Sequence, residues 1–572
     1  MATYYWVGGN GTWDNSSTAN WSNASGGASG FGPPLSTDTV NFDVSSGTGT
    51  CTTAATAAAY TVVLNSSTLG ITLGANFTNT WNFDFTLGAI NLNNNTWNCA
   101  IFNSNNANAR SIAFGTGKIV VNGSGGVQFL MQTGTNFSYT GASLIEFTYA
   151  GANNRRIDTP RIGSGGTEAN ALNISITAGS GAITYGFADQ VIKNYNFTGF
   201  SGSAQIGANI YGNVTLSSGM TLSASTTTAN FIATSGIQTL TTNGKTIDQP
   251  VTQNNPGATL QLQDNLTMGS TRAFTLTAGD LHINNRTLST GLFSSSNSNV
   301  RVIDFKSGNI TLTGNAAQIW NFQTATNFTY LGTPTVNATY SGSTGTRLIY
   351  HGSTTGTSTA NAISVNVSAG SDTVTLNYQF KDIDFTGFTG TFSNNIMGIS
   401  GSVKFVSGMT LTAGTAAITF LGTTGTQLIT TAGKTLDFPI IFNGVGGTFA
   451  FQDALTQGST RAFTITNGTV QLKASATSTT GAFATSGTNQ KYLQSTTPGT
   501  QATLTQASGT VNATYLSIKD IVATGGATWN ALWSSNNVDE GNNSGWVFGD
   551  PPIISAVEYT YALRSFTQPR RF

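Results

Sequence analysis

Apolar and polar residues alternate in short runs that restart at a steady interval. The runs 214–222 (VTLSSGMTL), 238–247 (QTLTTNGKTI) and 260–267 (LQLQDNLT) begin 24 and 22 residues apart (238 − 214, 260 − 238). Each run breaks at Gly, Asn or Ser. A period of two predicts strands with one buried face. The regular restart predicts successive coils of an elongated, parallel β-helix-like β-solenoid, with Val, Leu, Ile and Phe stacked inward and Thr, Ser and Asn facing water. Asn and Thr at equivalent corners are expected to form hydrogen-bonded ladders. Tandem antiparallel sandwiches are the competing fold. The even spacing and the lack of Asn-Gly hairpin signals at strand junctions favour the solenoid.

A longer period lies over the short one. QDNLTMGSTRAFTLT at 263–277 returns as QDALTQGSTRAFTIT at 452–466. Asp264 maps to Asp453, Arg272 to Arg461 and Phe274 to Phe463, each at an offset of 189 (453 − 264). RSIAFGTGKIVV from 110 matches RVIDFKSGNITL from 301, an offset of 191 (301 − 110). The chain therefore reads as an N-terminal Trp-rich cap (1–81), long repeat units at 82–272 and 273–461, a partial third unit with a C-terminal cap (462–548), and an arm (549–572). Internal copies supply a test. A residue present in both copies belongs to the frame, and a residue present in one copy is a candidate for function.

Six of the nine Trp lie at the ends: Trp6, Trp13, Trp21, Trp529, Trp533 and Trp546. A solenoid has to close its core at both ends, and large aromatics do this well. The N-terminal three are read as a packed cap rather than a carbohydrate platform. After Asp550-Pro551-Pro552 the arm carries Tyr559, Tyr561, Arg564, Phe566, Arg570, Arg571 and Phe572. It is expected to dock on a partner subunit.

Composition sharpens this picture. Charged residues are 8% of the chain, far below the usual quarter, and there are only four Glu, so long solvated helices are not expected. The 34 Phe, 16 Tyr and 9 Trp supply a core that a disordered chain would lack. Basic and acidic residues balance at 22 each, which leaves no stripe to neutralise phosphates and argues against nucleic acid. No apolar run is long enough to span a bilayer, so no membrane insertion is expected. MATYYWVGGNG lacks the features of a secretory signal, which points to synthesis in a cytoplasm. Cys51 and Cys99 are expected to be free thiols.

The copy test removes most candidate chemistry. Asp248 pairs with Asp437 and Asp264 with Asp453, while Asp189, Asp382 and Asp520 recur in similar FAD, FKD and IKD contexts. These acids are expected to cap turns through their own backbone. The segment 145–168 (IEFTYAGANNRRIDTPRIGSGGTE) stands apart. At the 191 offset Glu146 becomes Asn337 and Asp158 becomes Ile349, whereas Arg156 is kept as Arg347. Were the chain an enzyme, Glu146, Asp158 and Glu168 would be its acid/base candidates, with Arg155 and Arg161 nearby. A solvated loop with local ion pairs is the plainer reading. His282 and His351 lack a Ser or Cys partner and are expected at the surface. Asp539, Glu540 and Asn542 offer oxygen ligands suited to calcium, but their spacing matches a closing turn better than an EF-hand. No catalytic residue and no cofactor is expected. The QDxLTxGSTRAFT motif is read as a junction, with each Arg paired locally to Asp264 or Asp453 and each Phe in the core.

The two ends carry a family look. YYWVGGNGTWDNSSTANW, followed by Pro33-Pro34 and DTVNFD, resembles the opening of large β-solenoid surface and virion proteins found among phage structural proteins and bacterial adhesins. IKDIVATGGATWNALWSSNNVDEGNNSGWVF is similar to the closing module of the same group. With no export signal, the resemblance implies a phage tail fibre or related virion appendage, often a homotrimer, that assembles with other virion proteins and meets a host surface glycan. A tailspike-like depolymerase, a bacterial adhesin and a capsid fibre or decoration protein are the alternatives.

Overall fold

The computed structural model describes residues 1–352 and 362–549. The chain is almost entirely β, and its parallel strands stack as about 22 coils of a β-solenoid. The chain divides into two compact units, residues 1–397 with 408–412, and residues 398–407 with 413 onward. The assembly arm expected at Tyr559–Phe572 lies outside the described residues.

In the first unit the alternation read from the sequence becomes stacking. Val40, Val62, Phe83, Phe102, Phe129 and Ile157 are register partners on successive parallel strands. All six are buried and form one inward file. The next copy repeats it with Val251, Phe274, Phe293, Trp320 and Ile349. A short alternating strand cannot bury its apolar face alone, so each coil is stabilised by the one before and the one after.

Coil length is less regular than the sequence spacing suggests. Gln238 stacks on Leu260, the expected step of 22. Val214 stacks on Leu240 rather than on Gln238, a step of 26 (240 − 214). The extra residues lie in the turns, which lengthen without disturbing the inward file. Asn243-Gly244 does form a left-handed turn, with φ of +49° and +76°, but no hairpin follows. The strands on either side pair with other coils instead.

The N-terminal tryptophans form a packed plug. Trp6, Trp13 and Trp21 are at most 1% exposed. Trp6 and Trp13 each meet Trp21 edge-on, at 5.1 and 5.4 Å. Thr3–Trp6 pairs antiparallel with Trp21–Ser22 and parallel with Thr39–Phe42. The plug thus turns the chain back once and then joins the coil stack.

In the second unit Ile418, Ile440, Phe463 and Phe483 form the equivalent file. Its end is closed by Trp529 and Trp546, 5.0 Å apart, against Phe483. Outward positions carry the expected amide ladders, including Asn443–Asn467–Asn489 at 2.7 and 2.8 Å. The first unit has its own, Asn309–Asn337–Asn366 at 3.3 and 2.9 Å. Cys51 and Cys99 are free and buried, and burial pushes both thiols above their ordinary pKa.

Candidate functional site

Glu146, Asp158 and Glu168 are each bonded to other coils, and the fold does not unite them. Glu146 lies on Leu144–Phe147 and takes an ion pair from Lys118 of the preceding coil at 2.5 Å. Asp158 lies on Arg155–Asp158, in a different sheet. Its buried carboxylate accepts from Arg156 Nε and Nη2, Gln132 Nε2 and the Gly186 N–H, at 2.8–3.0 Å. Glu168 opens a 3-10 turn and accepts from Thr234 at 2.5 Å. Arg161 pairs with Asp189 at 2.7 Å and sits 3.7 Å over the Phe187 ring. At the other candidate, Asp539 accepts from the Gly541 N–H and Asn543, and Asn542 reaches back to Asp520 at 2.5 Å. Glu540 accepts from Ser517. Among the described residues no three His, Cys, Asp or Glu side chains converge on a metal position.

Several sequence assignments are corrected by geometry. Arg272 and Arg461 do not pair with Asp264 and Asp453. They pair with Asp248 and Asp437, each at 2.6 Å. Asp264 instead accepts the Thr242 and Asn243 N–H groups, and Asp453 those of Thr431 and Ala432. These acids cap a turn of the coil before, not their own backbone. Asp189 and Asp520 likewise bond across coils. Phe274 and Phe463 are fully buried, as the junction reading requires.

The residue equivalent to Arg347 is Arg155, not Arg156. Arg155 pairs in register with Ile183, and Arg347 with Val374, its counterpart at the 191 offset. One residue is missing from the preceding loop in the first copy. The same shift sets Asp158 opposite Tyr350 rather than Ile349. His351 is also not a surface residue. It takes the next inward position after Ile349, is 4% exposed, and receives the Trp320 indole N–H at Nδ1 (3.3 Å).

A recurring buried cation went unread in the sequence. Arg110, Arg301 and Lys491 hold one place in the three copies and are at most 2% exposed. Arg110 donates to the carbonyls of Asn108, Thr133 and Thr135 at 3.0–3.1 Å, and to Ser104. Arg301 donates to Asn299 and Thr326 at 3.0 and 2.8 Å, and to Ser295. Lys491 serves Gly487, Thr514 and Tyr515. Each lies over an aromatic ring, Phe137, Phe328 or Tyr515, at 5.4–5.8 Å. Burial pushes Arg110 down to about 10 and lowers Arg301 and Lys491 as well. The cation replaces the hydrogen bonds that carbonyls crowded into a turn would lose. The signal was present as RSIAF and RVIDF, but Arg was read there as alignment and not as chemistry.

One concave feature of the first copy is a groove on an outer face. Its floor follows the register Thr50–Gly70–Ala89–Ser111–Ser138 across five strands. Two adjoining hollows of about 400 and 320 Å³ share Gly70, Ala89, Ser111 and Ser138. Hydroxyl and amide groups of Thr72, Asn91 and Thr140 line its other side, the buried Arg110 borders the larger hollow, and no carboxylate lines either one. In the second copy the same row is Thr259–Asp280–Val302–Thr329, and larger side chains occupy the face. The substitutions Ala89/Asp280 and Ser111/Val302 were readable at the 191 offset by asking where side chains shrink. The chain matches no protein-family model, no curated protein and no solved structure.

Proposed function

We propose that the protein is a structural component of a phage virion, in a tail fibre or tail-associated appendage, and that its solenoid is a shaft presenting a neutral face to a host surface glycan. One observation carries the reading. The acid/base candidates Glu146, Asp158 and Glu168 are bonded to other coils, while the concave outer face of the first copy is lined by hydroxyls, amides, small and aliphatic residues, with no carboxylate and with the buried Arg110 at one side. The resemblance of both terminal modules to virion solenoids supports the setting. A groove without carboxylates, whose one cation is buried and held by carbonyls, suits neutral sugars, which are bound through hydroxyl hydrogen bonds and are little affected by salt.

Gold-labelled antibody against this chain, applied to purified particles and viewed by electron microscopy, tests the setting. Label on a tail appendage is expected. Label on the capsid, or on the surface of uninfected cells, would replace this reading with a decoration protein or an adhesin. Incubation with purified host polysaccharide tests the non-enzymatic part. No new reducing or unsaturated ends are expected, and cleavage lost in Glu146→Gln or Asp158→Asn would establish a depolymerase.

A further inference from the structure

Arg155 and Arg347 hold the same place in successive copies, yet only one has a counter-charge. Arg347 donates through Nε and Nη2 to the Asp372 carboxylate, both at 2.7 Å, and both side chains are fully buried. Its Nη2 also reaches Ala369 O at 2.9 Å, and its guanidinium lies 5.5 and 5.9 Å from the rings of Tyr340 and Phe388. Arg155 repeats this setting. Its Nη2 reaches Ala178 O at 2.8 Å, and the rings of Tyr149 and Phe200 lie at 5.7 and 5.8 Å. Arg155 is 1% exposed.

The carboxylate is what differs. Gly181 stands where Asp372 would be (372 − 181 = 191, the copy offset). Nη1 has no hydrogen-bond partner in either copy, but Nε is unpartnered only in Arg155. A guanidinium keeps its proton at any physiological pH, so this coil encloses an unbalanced positive charge. Arg110 and Arg301 also lack a carboxylate, but carbonyls accept from their Nε, whereas Arg155 Nε is buried with neither. The chain cannot restore the aspartate in place. A Cβ on Gly181 would lie 2.2 Å from the Asn153 carbonyl oxygen. Asp158 is already held by Arg156. A water would satisfy the N–H groups but not the charge.

We propose that Arg155, through Nε and Nη2, holds a halide-sized inorganic anion, chloride in physiological solution, as the counter-charge that Asp372 provides in the next copy. The fork needs only one acceptor atom placed between the two N–H groups.

Two measurements on the full chain test this, and the proposal requires both. In crystals soaked in sodium bromide, the anomalous map should contain a bromide peak beside Arg155 Nε and Nη2 and none at Arg347. An ordered water there without bromide would overturn the assignment. In hydrogen exchange, peptides covering Arg155–Asp158 and Leu172–Ile176 should exchange about tenfold more slowly in sodium chloride at ten times Kd than in sodium gluconate of equal ionic strength. Peptides covering Ile363–Val367 should not distinguish the salts. Equal exchange in both salts at the Arg155 coil would sink the idea. Arg155→Met should erase the salt difference; should that variant fail to fold, the bromide map still decides.

Discussion

The two full copies share a frame and differ in what they do with it. Their inward files correspond residue for residue, Val62, Phe83, Phe102, Phe129 and Ile157 against Val251, Phe274, Phe293, Trp320 and Ile349. Their buried cations Arg110 and Arg301 cage the same carbonyls. On the outer face, by contrast, Ala89 and Ser111 floor a groove at positions where the second copy carries the larger Asp280 and Val302. In the interior, Arg347 has Asp372 while Arg155 has none. Stacking constrains the inward positions, since a poorly fitting side chain disturbs both adjacent coils. Outward positions carry no such penalty and are free to diverge.

The largest expected effect tests the interior difference. Asp372→Gly would remove the carboxylate from the second copy and, in chloride-free buffer, strand a buried guanidinium. A loss of about 3–5 kcal/mol in urea unfolding is expected, with part regained in the double variant Arg347→Leu, Asp372→Leu. A neutral result would mean that the ion pair adds nothing, and that the two copies are equivalent there after all. Next comes the shared frame. Lys491→Met removes the donor that serves three carbonyls and should cost about 1–3 kcal/mol, with Lys491→Arg close to wild type. Equal loss in both variants would point to packing rather than hydrogen bonding. A smaller effect is expected at the junction. Arg272→Ala breaks a half-exposed ion pair to Asp248 and should cost no more than about 1 kcal/mol, with host attachment unchanged. Loss of attachment in a folded variant would make the repeated QDxLTxGSTRAFT motif functional.

How much of this was legible in sequence depends on which face a residue takes. The solenoid, the Trp plug and the asparagine ladders were readable because period-two alternation and offsets of 189–191 report inward stacking directly. The partners of Arg272 and Asp264 were not. A side chain at a coil corner can reach forward or back by one coil, and these choices differ by 20-odd residues in sequence but only one strand spacing in space. The Arg155–Arg347 equivalence was hidden by a one-residue deletion in a loop, which moves an alignment but not the register. His351 was misplaced because histidine was judged as chemistry, when Ile349 two residues earlier already set its side of the strand inward. The groove was missed because the copies were searched for gained acids and not for lost bulk.

The smallest effect is the sharpest test of shared frame against local divergence. Asn243 and Ala432 hold the same left-handed turn, at φ of +49° and +52°, before a glycine. Asp264 and Asp453 accept the N–H of each, at 2.5 and 2.6 Å, so the turn is imposed from the next coil whatever residue occupies it. Both residues bring a Cβ close to the following carbonyl, and Asn offsets that cost with its short polar side chain, which Ala lacks. Asn243 also donates its amide to Leu216 O at 2.6 Å, a bond that Ala cannot make. Ala432→Asn should therefore stabilise by about 0.5–1 kcal/mol, and Asn243→Ala should destabilise by a similar amount, read as opposite shifts in urea midpoint. The exchange is symmetrical only if the carboxylate holds both turns alike. Should Ala432→Asn be neutral while Asn243→Ala is costly, the second turn has relaxed around its alanine, and the copies differ in frame as well as in surface.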